Sequence, residues 1–206
     1  FFFTQKTAYA ILSGLVGSEM CIRDRPLDIT ARLKKNHCGT CVSCIDVCPT
    51  KAIVSPYKLD ARKCISYLTI ESKDSIPTDL RASIGNRFFG CDECELICRW
   101  NKYAKVTPIK DFMPRSKLNN RTLLELFLMN RDEFEILTRG SAIRRVSYEQ
   151  WVRNLAVAMG NSRYSRKTLS ALYKRRFFPD QMVREHIEWA ITRLENNSLN
   201  PDAIDK

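Results

Sequence analysis

The sequence contains no apolar run approaching the ~20 residues a bilayer-crossing helix needs. It has only two histidines in 206 residues. His37 abuts a cysteine and His186 lies beside the apolar face of a C-terminal helix, and both read as ordinary surface or core residues. There is no glycine-rich loop to cradle phosphate and no nucleophile paired with a base, so no site of bond chemistry is evident. Nothing matches a helix-turn-helix, an RRM or a KH motif, which argues against a base-reading element. Acidic residues are in deficit: 23 Asp and Glu face 34 Lys and Arg, a formal charge of +11. Small electron carriers are commonly acidic. A basic excess of this size points to a polyanion, nucleic acid first, with a generally basic surface as the alternative.

Cysteine is the residue present in excess. Eight fall between positions 38 and 98, as Cys38-x2-Cys41-x2-Cys44-x3-Cys48-Pro49, then Cys64, then Cys91-x2-Cys94-x3-Cys98. Two four-iron clusters need eight thiolates, and the first run is the bacterial ferredoxin signature, in which the fourth cysteine ligates the other cluster. Structural zinc prefers two separate C-x2–4-C pairs and fits this run poorly. A disulfide framework belongs to small secreted chains, whereas this chain is long enough for an ordinary core. The pattern predicts two [4Fe-4S] clusters, electron transfer, and a reducing, cytoplasmic compartment without membrane attachment.

The ninth cysteine, Cys21, lies in residues 1–25. The stretch Leu15 to Arg25 resembles the in-frame translation of a transposase-type sequencing adapter, and Gln5 to Tyr9 resembles the primer before it. Residues 1–25 are therefore read as an artefact. The rival reading, a signal peptide, has a single basic residue, Lys6, before its apolar core and no small-residue cleavage site. Removing Lys6, Arg23 and Arg25 with Glu19 and Asp24 leaves +10 on the rest. Native sequence upstream of Pro26 is expected.

Residues 26–107 read as the cysteine module, with short apolar pieces at Ala52-Ile53-Val54 and Cys64 to Ile70 that suit strands or turns. Residues 108–120 read as a linker and 197–206 as a tail. Residues 121–196 turn helical. Leu123, Leu124, Phe127 and Leu128 form one face, Phe134 and Leu137 another, with a break at Gly140. Ser147 with Gln150 predicts a capping box for a helix through Trp151, Leu155 and Ala158, ended by Gly160. Ser165 and Asp180 predict two further N-caps, the last helix facing inward with Val183, Ile187, Ala190, Ile191 and Leu194. Short amphipathic helices with short connections suggest a small solenoid. The fold class is α+β: a two-cluster ferredoxin-like module followed by an all-α helical repeat region. Basic residues gather in the helical part, including Arg139, Arg144, Arg145 and Arg153, as phosphate ligands or as a solvated face.

The joint pattern resembles the epoxyqueuosine reductases. The residues that carry the resemblance are His37-Cys38-Gly39-Thr40-Cys41, Cys48-Pro49-Thr50, Leu59 to Glu71, Ile84-Gly85-Asn86-Arg87, Gly90-Cys91-Asp92-Glu93-Cys94, Arg139 to Arg145 and Arg153 to Asn161. They span most of residues 26–195. The resemblance implies reduction of the epoxide of epoxyqueuosine to queuosine at the wobble base of tRNA, with cobalamin and two [4Fe-4S] clusters as cofactors. It implies one cluster held by Cys38, Cys41, Cys44 and Cys98 and the other by Cys48, Cys64, Cys91 and Cys94. Ser66 is expected near cobalamin. Lys73, Arg139, Arg144, Arg145 and Arg153 are expected at the tRNA, on a HEAT-like helical part. An external electron donor and a monomer are expected. The family's N-terminal domain, which holds most of the cobalamin and the acidic proton donor, has no counterpart among these residues. No catalytic residue is therefore assigned, and the chain alone is expected to be inactive. One departure is Arg99, where the family usually has Pro after the last cysteine. The rival readings are a self-contained two-cluster electron carrier and a relative of the reductive dehalogenases, neither of which needs a basic helical part.

Overall fold

The computed structural model describes residues 38–109, 118 and 121–199. The adapter-like stretch 1–25, the approach to His37, most of the linker 108–120 and the tail beyond residue 199 lie outside the described residues. The chain divides into two compact units, Phe1–Gly39 and Thr40–Lys206. Cys38 and Gly39 are the described residues of the first, and Gly39 takes a left-handed φ of 57°. Everything below concerns the second unit.

That unit opens with helix α1 (Ser43–Val47) and an antiparallel hairpin, β1 (Ile53–Ser55) and β2 (Lys58–Leu59). Ile53 pairs with Leu59 and Ser55 with Lys58, with an irregularity between them. Pro56 and Tyr57 make the turn, and Tyr57 sits at a φ of 62°. Asp60 caps the 3₁₀ turn Ala61–Lys63 by accepting from the Arg62 amide. Among the described residues the strands of the α+β module reduce to this hairpin.

The segment after Cys64 corrects the expectation of a strand or turn. It is helical, widening into a π turn over Tyr67–Glu71. The residues of this apolar piece are used differently. The Thr69 hydroxyl donates to the Ile65 carbonyl at 2.7 Å, and Ile65, Leu68 and Thr69 are buried together. Helix α2 (Thr78–Ile84), helix α3 (Glu93–Leu96) and a 3₁₀ turn (Arg99–Tyr103) complete the cysteine-bearing part.

The helical part follows its local signals closely. Capping boxes at Thr122 with Glu125, Asn130 with Glu133 and Ser147 with Gln150 open α4 (Leu123–Leu128), α5 (Arg131–Thr138) and α6 (Tyr148–Gly160). A 3₁₀ turn, Ala142–Arg145, joins the last two. Ser165 precedes α7 (Arg166–Lys174) without a side-chain capping bond. Asp180 accepts from the Val183 amide at 3.0 Å near the start of α8 (Gln181–Leu199), which continues past the expected boundary at 196.

Helix α6 is the axis of the unit. It packs on α4 and α8 on one side and on α2 and the Tyr67–Glu71 turn on the other. Every residue of α6 except Glu149 is buried. Trp151, Val152, Leu155, Ala156 and Met159 join the main core with Phe127, Leu172, Val183, Ile187 and Leu194. Val157 joins a second core with Ile65, Ile76 and Ile84. Gly160 ends the helix and also lets α8 approach. A Cβ there would lie 2.8 Å from the Trp189 ring and 2.9 Å from the Ala190 Cα.

A helix buried on all sides is expected to be apolar throughout. Helix α6 instead carries Gln150, Arg153 and Asn154 on the face toward the cysteine-bearing part, and all three are buried. The Arg153 guanidinium donates to the carbonyls of Leu68 at 2.7 Å, Ser72 at 3.0 Å and Asp74 at 2.6 Å. Asn154 donates to Thr69 at 2.7 Å and Phe88 at 3.0 Å, and Gln150 to Ser72 at 2.9 Å. Asn161, just past the helix, donates to Arg81 and Gly85 carbonyls at the end of α2. These are carbonyls that irregular and terminating backbone leaves unpaired. Burial lowers the Arg153 guanidinium to about 10, the nearby Asp74 acting the other way, so it remains charged at neutral pH.

This overturns one sequence expectation. Arg153 is fully buried and all of its nitrogens have partners inside the protein, so it is no phosphate ligand.

A second junction lies beside it. The Ile76 amide donates to His186 Nε2 at 3.1 Å, and His186 Nδ1 lies 2.7 Å from the Met182 carbonyl. The ring is thus neutral, with its proton on Nδ1. Arg81 Nε donates to the Ile76 carbonyl at 2.8 Å, and its guanidinium pairs with Glu185. Ser75 Oγ donates to the same carboxylate at 2.7 Å.

Two outcomes are expected. Arg153→Met takes a donor from three carbonyls, of which that of Leu68 is buried and that of Ser72 keeps Gln150. At about 1–3 kcal/mol for an unsatisfied buried group, it should lower stability by about 2 kcal/mol or more, read as a drop in the urea midpoint. Retained stability would make the bonds incidental. Burial holds His186 at about 4, against 6.5 for a free ring. The unfolded chain therefore takes up a proton that the folded chain refuses, and stability falls as pH is lowered from 6.5 toward 4. The protein should be about 2 kcal/mol less stable at pH 5 than at pH 7 from this group. His186→Gln should remove that part of the slope in anaerobic urea titrations.

Candidate functional site

The cysteines of the second unit are all half-buried. Cys44 lies within α1 and Cys94 within α3, and the two short helices pack against each other. Cys48 follows α1, Cys64 precedes the Tyr67–Glu71 turn, and Cys91 and Cys98 flank α3. Cys44, Cys48, Cys64, Cys91 and Cys94 line one cavity of about 300 Å³. Pro49, Ala52, Ile53, Leu59 and Ile65 supply most of the rest of its wall. Four of these five cysteines are the set expected to share a cluster.

Specific bonds hold that set. Ser66 Oγ accepts from the Cys91 amide at 3.0 Å and donates to the Cys91 carbonyl at 3.2 Å. The Gly90 amide donates to Thr69 Oγ1 at 3.0 Å, with Gly90 at a φ of 75°. The helical turn after Cys64 is thereby fastened to the strand of chain entering Cys91. Glu93, on the cavity wall, pairs with Arg87.

The thiols differ in their surroundings. Burial pushes Cys48 up, but hydrogen bonds from the Ala52 amide at 3.3 Å and from the Thr50 and Ile53 side outweigh it, and the net direction is down. Burial pushes Cys94 up, helped by Glu95 and by its neighbours Cys91 and Cys64. Cys41 is lowered by the Ser43 hydroxyl, 3.4 Å away, and amide, and further by the charge of Arg99. Arg99 thus brings the residue after Cys98 within electrostatic reach of Cys41, distant in sequence. Among the described residues no three His, Cys, Asp or Glu side chains converge as ligands of a single ion would. A four-iron cube instead takes its thiolates around its corners. Amide donors to ligand sulfur are one means of tuning such a centre.

A family description, the 4Fe-4S double cluster binding domain, matches residues 37–101. An epoxyqueuosine reductase of Pseudomonas aeruginosa is 53% identical over 170 residues, covering 82% of this chain and 47% of that protein. Its counterpart in Salmonella typhimurium is 49% identical over 170 residues, covering 82% and 44%. Over the span it shares with them, this chain is similar to the epoxyqueuosine reductases. A solved epoxyqueuosine reductase with a tRNA-Tyr epoxyqueuosine-modified stem loop superposes with a TM-score of 0.70 at 30% identity, covering 78% of this chain and 42% of that one. The chain spans about half the length of the curated relatives it matches.

The remaining residues singled out for this family's tRNA are scattered differently from Arg153. The Arg145 guanidinium pairs with Glu71, which brings the Ala142–Arg145 turn against the segment bearing Lys73. Arg144 pairs with Glu135 at 2.8 Å. Arg139 and Lys73 are exposed. Exposed ion pairs are worth about 0–1 kcal/mol, so Arg144 and Arg145 can exchange a carboxylate for a phosphate at small cost. Sequence reasoning missed the Gln150-Arg153-Asn154 row as a structural joint. The available signal was three polar residues at i, i+3 and i+4 on an otherwise apolar helix. Among the described residues no helix is long and apolar enough to cross a membrane.

Proposed function

We propose that this chain supplies the electron-transfer and tRNA-gripping part of an epoxyqueuosine reductase that reduces epoxyqueuosine to queuosine at the wobble position of tRNA. The observation that carries the reading is the union, in one chain, of a double-cluster span with a basic helical part, at 53% identity to a protein of that name. In this reading Cys38, Cys41, Cys44 and Cys98 hold one [4Fe-4S] cluster, and Cys48, Cys64, Cys91 and Cys94 the other. The shared cavity and the reach of Arg99 toward Cys41 support the interleaving. When bound, the clusters supply single electrons and cobalamin supplies the metal chemistry at the epoxide.

This chain's own residues have narrower tasks. The cysteine-bearing part is the module of residues 26–107, and residues 121–196 form a HEAT-like helical region. The Ala52 amide and Thr50 stabilise the Cys48 thiolate for ligation. Ser66 meets cobalamin with what its bonds to Cys91 leave over, since its proton is engaged there. Lys73, Arg139, Arg144 and Arg145 neutralise tRNA phosphates. In this reading turnover requires a further domain that protonates the opening epoxide, and an external electron donor. The working form is a cytoplasmic monomer.

Three measurements test this. Anaerobic reconstitution should load about eight irons and eight sulfides. Cys98→Ser should then damage the cluster of Cys38, Cys41 and Cys44, and Cys48→Ser the other, as read by Mössbauer spectroscopy. Damage confined to the sequence-local cluster in each case would refute the interleaving. Charge reversal of Arg139, Arg144 and Arg145 should weaken tRNA binding and flatten its salt dependence by roughly 0.7–0.9 in log–log slope per lost phosphate contact. An unchanged slope would reduce these arginines to a solvated face.

A further inference from the structure

The cavity lined by Cys44, Cys48, Cys64, Cys91 and Cys94 is walled in part by the β1–β2 hairpin and its turn, through Ile53, Tyr57, Lys58 and Leu59. Tyr57 is 73% exposed and Leu59 56% exposed. Ile53 pairs across the ladder with Leu59, and both line the cavity. The hairpin is thus a thin wall with one apolar face toward the cysteines and large side chains reaching solvent. The turn is strained to achieve this. Tyr57 holds a φ of 62° at the position of a Pro-led turn that favours glycine or asparagine. An L residue there costs about 1–2 kcal/mol, and an observed outlier of this kind is a pointer to function.

The charge along this hairpin and the turn after it is mainly positive, although Glu93 lies on the cavity wall, paired with Arg87. Residues 51–63 carry Lys51, Lys58, Arg62 and Lys63 against Asp60 alone. Asp60 is engaged by Arg62 at 2.9 Å, and Lys51 reaches only a backbone carbonyl, that of Asp46, at 2.7 Å. An exposed aromatic and a leucine inside a basic rim form the usual anatomy of a small, transient interface, with an apolar centre and steering charge around it.

We infer that this hairpin is the docking surface for an acidic one-electron carrier protein, which delivers electrons to the group seated behind it. The inference rests on the proposed ligand set Cys48, Cys64, Cys91 and Cys94. At each encounter the carrier gives up one electron and is oxidised by one unit, and the seated group is reduced by one unit. No bond forms or breaks and no proton is transferred. The acidic surface of the carrier answers the basic rim, and Tyr57 and Leu59 provide the apolar contact.

The test uses the full chain, reconstituted anaerobically, and an acidic flavodoxin as the probe. Affinity for the oxidised flavodoxin is measured by titration calorimetry over a range of salt. Lys58→Glu with Lys63→Glu should weaken binding about tenfold or more and flatten its salt dependence. Tyr57→Ser should weaken it several-fold. Val54→Glu serves as the control, because Val54 is exposed but absent from the cavity wall, and should change little. Reduction by photoreduced deazaflavin, a small uncharged donor, should proceed equally in all variants. Equal affinity in wild type and the double reversal, an equal loss in Val54→Glu, or a parallel loss with deazaflavin would each overturn the docking surface. Failure to incorporate iron and sulfide would instead overturn the ligand set on which it stands.

Discussion

The second unit depends on one set of hydrogen bonds: buried side-chain donors of α6 to backbone carbonyls of the cysteine-bearing part. The helical turn after Cys64, the loop through Ser72 and Asp74, and the chain before Cys91 are all irregular backbone, and irregular backbone buried without partners is costly. Gln150, Arg153 and Asn154 supply those partners from a single helix face. Ser66 and Thr69 then complete the connection from that turn to Gly90 and Cys91. The path from the helical core to the cysteines is therefore a short series of hydrogen bonds. Glycine at position 160 lets α8 pack closely against α6, where a Cβ would collide with Trp189 and Ala190.

Much of this architecture was readable in the sequence because it rests on local chemistry. The capping box at Ser147, the cap at Asp180 and the inward faces of α6 and α8 depend on residues within a few positions of each other, and they stand where the pattern put them. Cysteine spacing carried the metal centre for the same reason. What was not readable depends on partners distant in the chain. Arg153 resembles any basic residue on a helix until the carbonyls of Leu68, Ser72 and Asp74 are seen around its guanidinium. The stretch from Cys64 to Ile70 is rich in β-branched residues, yet donors from α6 and the Thr69 hydroxyl favour a helical turn over the strand its composition suggests.

The two kinds of basic residue separate by the same criterion. Arg81 and Arg153 are buried and answered by carbonyls and by Glu185, and they serve cohesion. Arg144 and Arg145 remain at the surface in weak pairs with Glu135 and Glu71, and their charge is available to a partner. A net positive charge in composition thus divides into an internal share and an external one, and only the external share contributes to the field felt by a polyanion.

The burial of α6 between the two parts has a mechanical consequence. A flexible tether would let the Ala142–Arg145 turn wander over a volume set by the tether's length. Here the turn leads within a few residues into α6, and α6 is bonded to the backbone that carries Cys64 and Cys91. The helix acts as a ruler. The Ala142–Arg145 turn is thereby held at one fixed reach from the cysteine cavity, a spacing written into the packing of a single helix.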